Sequence, residues 1–193
     1  VSRAVGKSVS LQQLNGASRE EFVSALRPLF NNETWPLELA WESRPFGDVN
    51  ELRAAIQVAV LTADDSRRAA LIHDYPAMDE LLLADADEAA TISADRGSLG
   101  LTDLDDVQTE RITELSAAYR ERFDMPFVAY LDTNDTVDRV IDAGVRRLAN
   151  SPEQEYRTAL GEIVEIANDR FDILLADANP VRSSWDRKFT EVD

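Results

Sequence analysis

The sequence predicts a single all-α domain, a bundle of seven or eight helices. Apolar residues recur at helical spacing along most of the chain. Residues that cap helix N-termini stand before most of those runs. Only one short run, Phe127-Val128-Ala129-Tyr130-Leu131, has strand character. At 193 residues the chain is long enough for one substantial core. The domain is placed at 1–177, and residues 178–193 read as an appendage with Trp185 and Phe189 as docking residues.

Leu11, Leu14, Phe22, Leu26 and Phe30 keep one apolar side through the first forty residues. Ser18 with Glu21 forms a capping box for a helix over 19–30, which Pro28 should bend or end. A second helix spans 35–43 and stops before Pro45. Asp48 or Asn50 caps a helix over 49–62, with Leu52, Ile56, Val60 and Leu61 in register. Asp64 or Asp65 opens another over 65–73, which ends before Pro76. Residues 76–103 are undecided, punctuated by Gly97 and Gly100. Thr102 or Asp103 caps a helix over 104–123. The run 127–131 is either a short strand or buried extended chain. Asn134 or Thr136 caps a helix over 136–150, and Ser151-Pro152 opens a long amphipathic one over 152–176.

Lys plus Arg number 20 against 37 Asp plus Glu, a net charge of −17. Such a surface repels nucleic-acid phosphate and anionic membranes, so neither is an expected partner. The acidity reads as solvation of the surface or as an acidic face for a basic partner; the run Asp85-Ala86-Asp87-Glu88 reads as a solvated face, and no loop spacing suggests a cation site there. With no cysteine and a single histidine, disulfides, thiol nucleophiles and multi-histidine metal sites are excluded. The start of the chain has no apolar run of signal-peptide length, and no window approaches the roughly 18–20 apolar residues of a membrane span. A cytoplasmic protein is the expectation.

Three short blocks organise the rest: Arg44-Pro45-Phe46, Leu71-Ile72-His73-Asp74-Tyr75-Pro76 and Met125-Pro126-Phe127-Val128. They are joined by Tyr119-Arg120-Glu121-Arg122-Phe123, Arg146-Arg147-Leu148-Ala149-Asn150, Glu155, Ala159-Leu160-Gly161-Glu162-Ile163 and Arg170. In order and spacing these resemble the decarboxylases of 2-oxo-4-hydroxy-4-carboxy-5-ureidoimidazoline (OHCU), which finish urate breakdown. The resemblance covers about residues 11–175. It implies that fold, a small anionic substrate or ligand, no cofactor, no metal and a homodimer.

The resemblance also implies a site. The family's middle block reads Leu-Ile-x-x-His-Pro, so Tyr75 stands where the family has its catalytic histidine, and Pro76 follows it. Leu99-Gly100-Leu101 aligns with the family's Ala-Gly-Leu and places Ile92, Asp95 and Arg96 at the positions of its serine, glutamate and glutamine. Backbone groups after Pro126, at Phe127 and Val128, would cradle the substrate ring. Arg170 matches the arginine that holds the substrate. Tyr75, Asp95, Arg170 and His73 are thus the catalytic candidates, and Pro76, Arg96, Phe127 and Val128 the substrate-binding ones.

The chemistry explains the residue types. OHCU carries a carboxylate on a carbon that also bears a hydroxyl, and the adjacent ring can absorb the electron pair that carbon dioxide leaves behind. The protein must grip an anion, which suits an arginine fork, and handle one proton near neutral pH. Histidine has an unperturbed pKa of about 6.5, whereas tyrosine, at about 10, serves better as a hydrogen-bond donor that orients the carboxylate. His73 lies two residues from Tyr75, about 200° around a helix, so it does not simply substitute for the family histidine.

Each candidate has a plainer role open to it. His73 suits a helix C-terminus as a surface cation, Tyr75 a pocket wall, and Asp95 a solvated carboxylate or a partner for Arg96. Arg170 could pair with Glu162, Glu165 or Asp169 on the helix surface, but it falls on the side of Ile163 and Ile166. The departures at the site also fit a second function: a non-catalytic descendant that keeps the pocket and binds a small ligand or a protein partner.

Overall fold

The computed structural model describes residues 9–31, 33–83, 104–130 and 136–175. They are all-α: α1 Leu11–Gly16, α2 Arg19–Leu26, α3 Trp35–Trp41, α4 Val49–Thr62, α5 Asp65–His73, α6 Met78–Leu83, α7 Asp106–Phe123, α8 Val137–Arg147 and α9 Pro152–Leu174. The only β pairing among them is an isolated parallel bridge between Val9 and Leu175. Among the described residues, α1 and α6 have six residues each, too few to repeat an apolar period, and the longer helices are the ones the sequence predicts.

Local chemistry sets most boundaries. Ser18 Oγ accepts the Glu21 N–H while the Glu21 carboxylate accepts the Ser18 N–H, the expected box. Pro28 shortens α2 by closing it into a 3₁₀ turn over Arg27–Leu29. Asp48, Asp64 and Thr136 are the caps of α4, α5 and α8. Ser151 and Gln154 exchange bonds at the start of α9. The cap of α7 differs from expectation: it is Asp105, not Thr102 or Asp103, because Gln108 three residues on completes a box with it. The strand-like run is not a strand. Residues 126–130 carry no ladder, and Leu131 lies outside the described residues.

The chain divides into two compact units, Val1–Ala63 with Ala167–Asp193, and Asp64–Ile166, so α9 contributes its first part to one and its last part to the other. The first unit buries Leu14, Phe22, Leu26, Leu37, Leu52 and Phe171. The second is built on a cluster of Met78, Ile112, Leu115, Tyr119, Phe127 and Ile141. No helix among the described residues is long and apolar enough to cross a membrane.

Candidate active site

In the second unit, α5 runs from its Asp64 cap to His73, with Leu71 and Ile72 buried. The proline at 76 disfavours helical backbone at the residue before it, so the chain leaves the helix here. The Tyr75 N–H donates to the Ile72 carbonyl at 3.2 Å as it does so. His73 is exposed, while Tyr75 is 7% exposed and Pro76 half-buried. The two-residue offset thus separates solvent from interior, and the tyrosine holds the inner position. Asp95 and Arg96, with Ile92 and the acidic run 85–88, lie outside the described residues.

Phe127 and Val128 are buried, at 1% and 2% exposure. The Phe127 ring packs against Tyr119, with centroids 4.8 Å apart and planes inclined by 52°, a favourable tilted pair. The ring also lies close against α8, which is possible because residue 144 is glycine. A Cβ there would stand 2.5 Å from Leu115 Cδ2 and 2.8 Å from Phe127 Cζ.

A polar network fixes the backbone that follows. Arg147, at the end of α8, donates from Nη1 to the Val128 carbonyl at 3.0 Å and to Glu162 Oε1 at 3.2 Å. Glu162 Oε2 accepts the Tyr130 N–H at 2.7 Å. The rest of the Arg147 fork, Nε and Nη2, donates to Glu155 Oε1 at 2.9 and 2.6 Å. Glu155 is fully buried. It also accepts from Tyr119 Oη at 3.2 Å and from Asn150 Nδ2 at 2.7 Å, so its charge is matched by donors on several sides. Burial pushes the Tyr119 phenol well above its ordinary range, against the opposing pull of Arg147. Burial also raises the Glu162 carboxyl above its ordinary value, while the Tyr130 N–H and Arg147 lower it and Glu155 and Glu165 add to the rise.

In the first unit, Arg170 is half-buried on α9. Its Nη1 donates to Asn31 Oδ1 at 2.9 Å and to the carbonyls of Pro28 and Leu29 at 3.2 and 3.4 Å. Those acceptors line the turn that closes α2, where Asn31 has φ 55°. The guanidinium is therefore tied to the backbone rather than free to swing. Arg44 anchors the Arg44-Pro45-Phe46 block in the same unit. Its Nη1 donates to the carbonyls of Asn15 and Ala17 at 3.1 and 2.6 Å, its Nε to Trp41, and its plane lies 4.2 Å over the Trp41 ring. Asn15 in turn bonds both the N–H and the C=O of Phe46. Arg44-Pro45-Phe46 is thus scaffold.

A profile of the OHCU decarboxylase family matches residues 15–172. The chain belongs to the OHCU decarboxylase family. A relative from Haloferax volcanii, named 2-oxo-4-hydroxy-4-carboxy-5-ureidoimidazoline decarboxylase, is 37% identical over 164 residues, covering 84% of this chain and 94% of its own. A mouse relative of the same name is 32% identical over 181 residues, covering 90% and 98%. Among solved structures, that of an (S)-allantoin synthase superposes with a TM-score of 0.66 at 22% identity. It is a likeness of fold, over 86% of this chain and 54% of that one.

Arg147, Glu155 and Glu162 belong to the blocks that resemble the family, and the sequence assigns them no role. One signal could have drawn attention to them. Glu155, Ala159 and Glu162 recur at i, i+4 and i+7, which puts two acids beside the apolar stripe of α9. A carboxylate there needs a buried partner, and Arg147 stands eight residues upstream of Glu155.

Proposed function

We propose that this protein decarboxylates OHCU in urate breakdown, without a cofactor, to an allantoin-type product. The observation that carries this is family membership over nearly the whole matched length, with 37% identity to a relative of that name. The reaction needs an anion grip, a shaped wall and one proton. Arg170, whose Nη1 is held by Pro28, Leu29 and Asn31, is suited to bind the substrate carboxylate, because a pre-placed guanidinium loses little entropy on binding. Tyr75, buried where the family has histidine, donates its phenolic hydrogen bond to the substrate's carboxylate or hydroxyl. By resemblance to the family, Asp95 supplies a carboxylate and Arg96 an anion partner. Pro76, Phe127 and Val128 supply the apolar wall and backbone groups. His73 is exposed and is given no step in this reading.

The step balances without an external oxidant or reductant. The bond from ring carbon to carboxylate breaks, and its electron pair passes into the neighbouring imine. The former imine nitrogen takes one proton from solvent, leaving an enol. The ring carbon that bears the ureido group then gains a proton as the enol hydroxyl gives one up and its carbon becomes a carbonyl, so one proton is consumed overall. Lowering the barrier is a matter of orientation and charge placement. A homodimer and a cytoplasmic location belong to the same proposal.

The test is circular dichroism of freshly generated OHCU with wild type, Tyr75→His and Arg170→Ala. Wild type should speed the appearance of optically active allantoin, and Arg170→Ala should remove most of that effect. Wild type indistinguishable from buffer refutes the proposal. Activity confined to Tyr75→His would instead favour a pocket whose chemistry has been lost or redirected.

A further inference from the structure

The Arg147–Glu162 pair does more than neutralise charge. The Val128 carbonyl and the Tyr130 N–H flank residue 129, and each is taken by one member of the pair. The two members also bond each other, Nη1 to Oε1 at 3.2 Å. A neighbouring strand offers the same combination to an extended chain: one donor and one acceptor, side by side. In an extended chain, groups that share one edge leave the intervening residue's N–H and C=O on the opposite edge. Here that residue is Ala129, which is partly exposed, and no described residue bonds its N–H or its C=O.

We propose that Arg147 and Glu162 are positioning residues for the reaction, a side-chain pair that takes the place of a strand and holds 128–130 so that Ala129 presents a fixed donor and acceptor to the substrate. That pair matches the N–C=O edge of a ureide or imidazolone ring, and it can select the ring's register without touching the carboxylate that leaves. The proposal rests on the decarboxylase assignment for its substrate. Its geometry lies wholly within 64–166. Glu155 supports the arrangement from behind. By engaging Nε and Nη2 of Arg147 it leaves Nη1 directed at Val128 and Glu162.

The experiment uses ¹⁵N-labelled full-length protein with allantoin as the cyclic-ureide probe, beside steady-state kinetics on OHCU. In wild type, the Tyr130 amide should exchange slowly although it lies in no helix or ladder, and allantoin should shift the Ala129 amide resonance. Glu162→Met keeps volume and removes the acceptor. It should expose Tyr130 to exchange and raise both the OHCU KM and the allantoin Kd by roughly ten- to hundredfold, the scale of a small misplacement. Glu162→Gln retains an acceptor oxygen and should recover to within about threefold of wild type, a fraction of one hydrogen bond.

A merely structural role predicts otherwise: both variants would lose activity in proportion to folded protein, with KM unchanged. That result overturns the proposal. So does a wild-type Tyr130 amide exchanging at the free-peptide rate, or a titration in which allantoin leaves residues 127–130 unshifted. If OHCU is not turned over but allantoin still shifts Ala129 and Glu162→Met abolishes the shift, the decarboxylase assignment fails and the positioning pair stands.

Discussion

Glu155→Gln should cost far more than its one-atom change suggests. In the wild type, Oε1 receives Arg147 Nε, Arg147 Nη2 and Tyr119 Oη, and Oε2 receives Asn150 Nδ2. Glutamine keeps one carbonyl oxygen for three donors. Its amide nitrogen then faces the Asn150 amide, donor against donor. The fork of Arg147, whose side chain is 13% exposed, loses its fully buried counter-charge and retains only Glu162. Breaking one side of a buried pair costs about 3–5 kcal/mol, and the hydrogen bonds that survive place this variant near the lower end, at about 3 kcal/mol. For a chain of this length that is a fall in Tm of about 6–12 °C. Urea unfolding followed by circular dichroism at neutral pH should show a lower midpoint with an unchanged slope. A cycle with Arg147→Met should give a coupling energy above about 1 kcal/mol, as expected for groups in one network. A loss below about 0.5 kcal/mol, or strict additivity, would mean that the network is solvated in solution and has no energetic unity.

Other outcomes follow from the same structure. Gly144→Ala gains about 1 kcal/mol of helix propensity but drives a Cβ into Leu115 and Phe127, at about 1–3 kcal/mol. It should leave stability little changed or lowered, and raise the OHCU KM as Phe127 shifts. Because the Glu162 pKa is raised in the folded chain, the folded state binds its proton first as pH falls toward 4.5. The Glu162 contribution to stability therefore grows as pH falls through the folded pKa and is complete below 4.5. Comparing the pH dependence of urea midpoints for wild type and Glu162→Gln isolates that slope, and an opposite sign contradicts the burial argument. Arg44→Lys loses the fork that gathers carbonyls at the end of α1 and the stack on Trp41. It should cost about 1–3 kcal/mol in urea unfolding with kcat unchanged.

The all-helical class was legible because its signals are local. Ser18 with Glu21, and Ser151 with Pro152, carry their geometry within four residues. Boundaries were lost where several caps compete: Asp103, Asp105 and Asp106 are equivalent by type, and the glutamine three residues after Asp105 decides. The run 127–131 has strand composition, but a strand needs a partner chain, and the partner for 128–130 is a pair of side chains 15 residues apart on two helices. Composition cannot signal that. The same limit hid Glu155. An acid in a helix rich in acids looks solvated until the fold brings arginine, tyrosine and asparagine around it. Family likeness, by contrast, marked Tyr75 and Arg170 from short blocks. His73 is exposed and Tyr75 buried, but α5 ends at His73, so the helical offset between the two does not account for the difference.

The most direct test of the central claim follows the atom that leaves. OHCU labelled with ¹³C in its carboxylate, generated in situ and mixed with wild-type protein, can be monitored by ¹³C NMR for label appearing as carbon dioxide and bicarbonate. Decarboxylation by this chain predicts release well above the spontaneous rate, proportional to protein concentration and lost in Arg170→Ala. Release at the buffer rate, at every protein concentration, contradicts it.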